Sequence, residues 1–70
     1  MERVKVSSSN IRSIGYEEST KILEIEFKQG SVYQYKGVPK NIFENLMNAN
    51  SHGTYFHSYI KDKYPTSRIN

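Results

Sequence analysis

The sequence predicts an α+β domain: a three-stranded antiparallel meander with two C-terminal helices packed on one face, in the order β-β-β-α-α. Three observations carry this. Between Ile11 and Lys36, apolar and polar residues alternate with a period of two. The interruptions at Glu18-Ser19-Thr20 and Lys28-Gln29-Gly30 suit hairpins and are too short for a crossover. After Pro39 the apolar period changes to about 3.6.

Taken in order, residues 1–10 end in Ser7-Ser8-Ser9-Asn10 and read as a flexible arm, from which Val4 and Val6 could add a short edge strand. Ile11 to Glu18 supplies the first strand, with Ile14 and Tyr16 on one face. Lys21 to Phe27 is the clearest strand, with Leu23, Ile25 and Phe27 apolar on one side and Glu24 and Glu26 polar on the other. Gly30 stands where the hairpin calls for a positive φ. Ser31 to Lys36 is the third strand. Pro39 suits a helix's first position, where its missing N–H would be unpaired anyway. Ile42, Phe43, Leu46 and Met47 then form an apolar stripe on a helix reaching about Ala49. A second helix runs from about Thr54 to Asp62 with Phe56, Tyr59 and Ile60 on one face, and Lys61 and Lys63 near its end complement its dipole. Tyr64-Pro65 stops it. One domain over residues 1–70 is expected, with an ordered core of about 6–64 and a polar tail from residue 65.

Seventy residues lie near the lower limit for a chain that folds alone. No cysteine is present, which excludes disulfide staples, thiolate nucleophiles and zinc-thiolate sites. Six tyrosines and three phenylalanines offer a dense aromatic core instead. The N-terminus alternates charged and apolar residues, unlike a signal peptide, and no apolar run approaches a membrane span, so a soluble cytoplasmic protein with no membrane partner is expected. Ten basic and seven acidic side chains leave a net charge of +3, compatible with a polyanionic partner.

Several of these residues together resemble a known family. They are Leu23-x-Ile25-x-Phe27, Gly30-Ser31-Val32-Tyr33-Gln34-Tyr35, Val38-Pro39, Leu46-Met47-x-Ala49-x-Ser51-x-Gly53, and Tyr55-Phe56 followed by Ile60. In this order and spacing the chain resembles the KTSC domain, found at the C-terminus of some lysyl-tRNA synthetases and as small stand-alone bacterial proteins, the form expected here. The family hallmark, Tyr-x-Tyr, is matched by Tyr33 and Tyr35, and the resemblance spans about residues 6–64. It implies no catalytic residue. RNA binding is suggested for the family by its fusion to a synthetase, which is an inference from context.

Tyr33 and Tyr35 share one strand face and admit two roles. They could stack on unpaired bases, as aromatics do in RNA-recognition sheets. Alternatively they pack beneath the helices. If the hairpin aligns them with Leu23, Ile25 and Phe27, parity favours the core, and the opposite face carries Glu24 and Glu26, which would repel phosphates. Arg3, Lys5, Lys36, Lys40, Lys61 and Lys63, with Arg68, are candidates for phosphate contact if the chain ends converge, and a solvated surface otherwise.

His52 and His57 lie about 500° apart around a helix and share no face, so no metal site is expected, and His52 suits a surface or capping role. Ser7, Ser8 and Ser9 have no signature placing a base beside them. Glu17, Glu18, Glu24 and Glu26 read as solvated side chains. No cofactor and no enzymatic activity are expected. The resulting expectation is a small binding module that contacts RNA through surface basic residues. The alternative is a protein-interaction domain using a sheet edge or apolar surface left by Ile22 and Val32.

Overall fold

A computed structural model describes all of residues 1–70. The chain forms β1 (Arg3–Lys5), β2 (Ile11–Glu17), β3 (Ile22–Phe27), β4 (Val32–Lys36), α1 (Lys40–Asn48), α2 (His52–Tyr59) and β5 (Thr66–Arg68). The strands make one antiparallel sheet in the order β1-β2-β3-β4-β5. The α+β class and the two helices are as expected, but the sheet has five strands where three were expected. The meander is its centre, and the segments read as an arm and a tail supply its edges. Both edge strands are exposed along their length and carry no buried apolar face, so strand periodicity had little to register. Main-chain pairing holds them instead. Beyond the β4–β5 register, Ile69 donates to the Val32 carbonyl at 2.8 Å and Lys36 to the Pro65 carbonyl at 2.9 Å.

The hairpin register decides which residues meet on each face. Leu23 opposes Tyr35 and Ile25 opposes Tyr33, so the two tyrosines share the apolar face with Leu23, Ile25 and Phe27. In β2 the register shifts between Ile11 and Ser13. That bulge puts Ile11 and Ile14, three residues apart, on the same face, which a regular strand could not do. Gly30, at φ 107°, closes the β3–β4 hairpin in the left-handed region.

Both helices cover the apolar face. Pro39 is the N-cap of α1, one position earlier than expected, and contributes its fixed φ without a side-chain cap bond. The second helix begins two residues before the expected Thr54, because Ser51 caps it by accepting from the Thr54 N–H at 3.2 Å. It also ends before the expected Asp62. The Phe56 carbonyl accepts from both the Ile60 and Lys61 N–H groups, and Asp62 then takes a left-handed φ of 63°.

Ile11, Ile14, Leu23, Ile25, Tyr35, Val38, Leu46, Phe56 and Ile60 form the core. Phe27, Tyr33, Ile42, Phe43 and Met47 pack around it half-buried. Tyr59 is a correction to the expected helix face: it is 57% exposed and lies against Tyr55, with ring centroids 4.5 Å apart. On the β2 side, Tyr16 stacks on Phe43 at 4.7 Å and donates to the Val38 carbonyl at 2.6 Å. Burial, with the Glu18 carboxylate adding to it, pushes the Tyr16 hydroxyl up from its ordinary value.

Candidate functional site

The helices leave part of the apolar sheet face uncovered, toward the end where β3 turns into β4. There a groove of about 580 Å³ opens, with Phe27, Tyr33, Tyr35 and Phe56 as its aromatic floor. These rings meet edge to face: Phe27 and Tyr33 at 5.9 Å, Phe27 and Phe56 at 5.5 Å, Tyr35 and Phe56 at 5.5 Å. Such contacts fix the rings without side-chain hydrogen bonds. Tyr35 is 4% exposed and belongs to the core, whereas Tyr33 is half-buried and carries the Arg68 guanidinium 5.9 Å from its ring centroid. The two tyrosines therefore differ in burial within one motif. Tyr35 serves the core, and Tyr33 lies at the edge where core becomes surface.

The rim is polar and carries two lysines, one histidine and one aspartate. Lys28 and Gln29 reach it from the β3–β4 turn, His57 and Lys61 from α2 and its end, Ser9 and Asn10 from the β1–β2 connection, and Asp62 and Thr66 from the approach to β5. Burial pushes the Tyr35 hydroxyl up to about 12, and the neighbouring Tyr33 hydroxyl and Asp62 carboxylate add to the effect. A smaller polar hollow of about 300 Å³ shares Ser9, Asn10, Gly53 and His57 with the groove and continues it over the start of α2.

The six basic residues expected to contact nucleic acid do not form one patch. Lys61 is on the groove rim. Lys63 is exposed just beyond α2. Lys40 lies at the start of α1 with its Nζ 3.4 Å from Glu18, and Lys36 projects from the opposite sheet face, paired with Ile22 in the register. Arg3 and Lys5 are on β1 and share that opposite face. The chain ends do not converge: β1 and β5 are opposite edges with three strands between them, roughly 19 Å at ordinary strand spacing.

Arg3 is committed elsewhere. It pairs with Glu24, donates from Nε to Ser13 Oγ at 3.1 Å, and has a second nitrogen 4.0 Å from Glu26. Gln34 donates to the other Glu24 oxygen at 2.8 Å, Ser13 donates to Glu26 at 2.8 Å, and Arg12 approaches Glu26 at 3.9 Å. Glu24, expected to be solvated, is 6% exposed inside this network. Its charge is balanced by Arg3 rather than by water. Val32 is also buried on this face and Ile22 half-buried, so the apolar surface expected from them is largely closed.

His52 and His57 separate as their spacing implies. His52 Nδ1 lies 2.8 Å from the Leu46 carbonyl and ties α2 to the end of α1, while His57 faces the groove. Lys28 and Asp62 are groove residues that reading along the chain did not single out, and His57 was weighed there only as a metal ligand. The one available signal was the adjacency of Lys28-Gln29 to Phe27, and it is masked because the same residues explain the turn. No helix is long and apolar enough to cross a membrane.

Comparison with known proteins agrees with this architecture. The sequence profile of the KTSC domain matches residues 7–64. An uncharacterized protein of Stutzerimonas stutzeri is 39% identical over 64 residues, covering 91% of this chain and 90% of that protein. A lysine–tRNA ligase of Trichormus variabilis is 42% identical over 66 residues, covering 94% of this chain and 12% of the ligase. The crystal structure of a KTSC domain protein from Yersinia pestis superposes with a TM-score of 0.94 at 46% identity, covering 99% of this chain and 97% of that one.

Proposed function

This chain belongs to the KTSC domain family, and we propose that it is a non-catalytic binding module that takes a single-stranded RNA segment in the groove between β4, β5 and α2. The observation that carries the reading is an aromatic floor with Lys28 and Lys61 on its rim and Arg68 over Tyr33. Unpaired bases stack on aromatic faces, and a groove with positive charge follows the phosphates. Tyr33 and Phe27 supply half-buried rings, while Lys28, Lys61 and Arg68 supply charge around them. The likeness to a segment of lysine–tRNA ligases gives context in favour of RNA. Double-stranded RNA is a poor candidate, since its bases are not free to lie on such a floor. A catalytic role is disfavoured because the groove is open and holds no histidine or carboxylate hydrogen-bonded to a nucleophile.

The test is a titration with a fluorescent single-stranded RNA at two salt concentrations. Lys28→Ala and Lys61→Ala should each weaken binding and flatten the salt dependence by about one phosphate contact. Lys36→Ala and Lys40→Ala, which alter residues away from the groove, should bind like wild type. Absence of salt-dependent binding at low ionic strength overturns the reading. Equal losses in all four variants would relocate binding to diffuse surface charge. An oligo-glutamate that displaces RNA as well as unlabelled RNA does would make the groove a site for acidic protein segments instead.

A further inference from the structure

Beside the aromatic groove runs a second hollow of different chemistry. It holds about 300 Å³ between the β1–β2 connection and one flank of α2, and none of its lining residues is hydrophobic. Ser9 and Asn10 line it from the connection, Thr54 and Ser58 from the helix, and it shares Gly53 with the groove. Gly53 is the sill between the two. A Cβ there would stand 3.6 Å from Asn10 Nδ2, which places that amide at the junction. Main-chain bonds set both walls: the Asn10 carbonyl accepts from the Lys28 N–H at 2.9 Å, and the Ser51 carbonyl from the Tyr55 N–H at 3.0 Å. The local cap and turn bonds fall to other side chains. Ser51 serves Thr54, and Ser8 accepts from the Asn10 and Ile11 N–H groups. The exposed side chains of Ser9, Asn10 and Ser58 are left free to bond a ligand. No lysine, arginine or carboxylate lines the hollow, whereas Lys28 and Lys61 both stand on the groove.

We propose that this hollow takes the ribose of a bound nucleotide through its 2′-hydroxyl, so that the site prefers RNA to DNA of the same base sequence. This deepens the RNA reading above and rests on it. The three parts of a nucleotide have different needs, and the groove and hollow divide them. A base needs an aromatic face, which Phe27 and Tyr33 supply in the groove. A phosphate needs positive charge, and the lysines stand on the groove and not on the hollow. The ribose, neutral and bearing hydroxyls, matches the neutral hollow at the groove's side. Its 2′-hydroxyl both donates and accepts; a serine hydroxyl and an asparagine amide do the same, so each can pair with it in either sense. Deoxyribose has only C–H bonds at that position and offers neither. Because Asn10 and Ser58 are exposed, water replaces the lost bond. The discrimination is then severalfold, far below that of an enclosed site.

The experiment measures fluorescence anisotropy with oligo(C) and oligo(dC) of equal length at one salt concentration, on the full chain. Wild type should bind oligo(C) about fivefold more tightly, the worth of one hydrogen bond. RNA and DNA strands also differ in stiffness, so the decisive quantity is the change of this ratio between variants. Asn10→Ala combined with Ser58→Ala should bring the ratio toward one by weakening oligo(C) while leaving oligo(dC) unchanged. Both side chains are exposed, and circular dichroism melts should match wild type. Ser58→Ala alone, on the flank of a helix, should move the ratio in the same direction. Lys28→Ala should weaken both oligomers alike and keep the ratio. Equal wild-type affinity for the two oligomers, or a ratio that survives the double variant, overturns ribose reading while leaving binding in the groove in place. A double variant that weakens both oligomers equally also overturns it, since the hollow would then hold a phosphate or a base. Failure of both oligomers to bind at low ionic strength overturns ribose reading and the proposed function together.

Discussion

The Tyr35 ring packs edge-on against Phe56 and is buried in the core beneath the groove it lines. Its titration reports that position. The hydroxyl is held to about 12 in the folded chain against an ordinary 10.0. The folded state therefore keeps a proton that the unfolded chain has begun to release. The contribution of this group is complete below about pH 10 and is lost as pH rises toward about 12. Tyr16, raised in the same direction, adds to the loss. Tyr35→Phe should flatten the decline in urea midpoint across that alkaline window, and identical profiles in the two proteins would remove Tyr35 as its source. A second position is set by space. A Cβ on Gly15 would stand 2.7 Å from the Glu2 carbonyl oxygen and 3.0 Å from Arg3 Cγ, because the N-terminal residues cross the sheet there. Gly15→Ala should push residues 2 and 3 outward, loosen the Arg3–Glu24 pair, and cost about 1–3 kcal/mol in chemical denaturation. An unchanged midpoint would mean that the N-terminal segment yields freely.

At the level of elements, β3, β4 and the helix after Pro39 were legible because each carries its own signal: alternation, a glycine at a positive φ, and a 3.6-residue period with a proline start. The strand β5 carries none, and β1 shows only the short alternation that allowed an edge strand at Val4. Each has three exposed residues and exists because a neighbour offers unpaired main-chain groups. The bounds of α2 moved for a similar reason. Ser51 caps its start by a local hydrogen bond, but a seryl N-cap two residues ahead of Gly53 competes with a turn in any reading of Asn50-Ser51-His52-Gly53. The energetic weight of β5 can be measured. Removing residues 66–70 deletes the bonds from Ile69 to Val32 and between Val32 and Asn70 and lifts Arg68 off Tyr33. The truncated chain should lose about 1–3 kcal/mol in urea unfolding and self-associate through the uncovered β4 edge in light scattering. A monomer of wild-type stability would show that β4 needs no partner on that side.

For the whole molecule, pairing order is what separates the charges. Because β1 and β5 are opposite edges of one sheet, Arg3 and Lys5 end up far from Lys61 and Arg68, and Arg3 is spent on the buried Glu24. A net charge of +3 therefore says little about where a polyanion would bind; the placement of Lys28, Lys61 and Arg68 around one aromatic floor says more. By itself the sequence determined the fold class, the central hairpins, the shared face of Tyr33 and Tyr35, and the family resemblance. Those follow from local period, turn chemistry and motif order, which a linear chain displays directly. Only the tertiary structure decided that the sheet has five strands, that Glu24 is buried against Arg3, and that Phe27, Tyr33, Tyr35 and Phe56 line one groove. Such arrangements depend on main-chain edges and on charges distant in sequence meeting in space, and neither leaves a periodic trace along the chain.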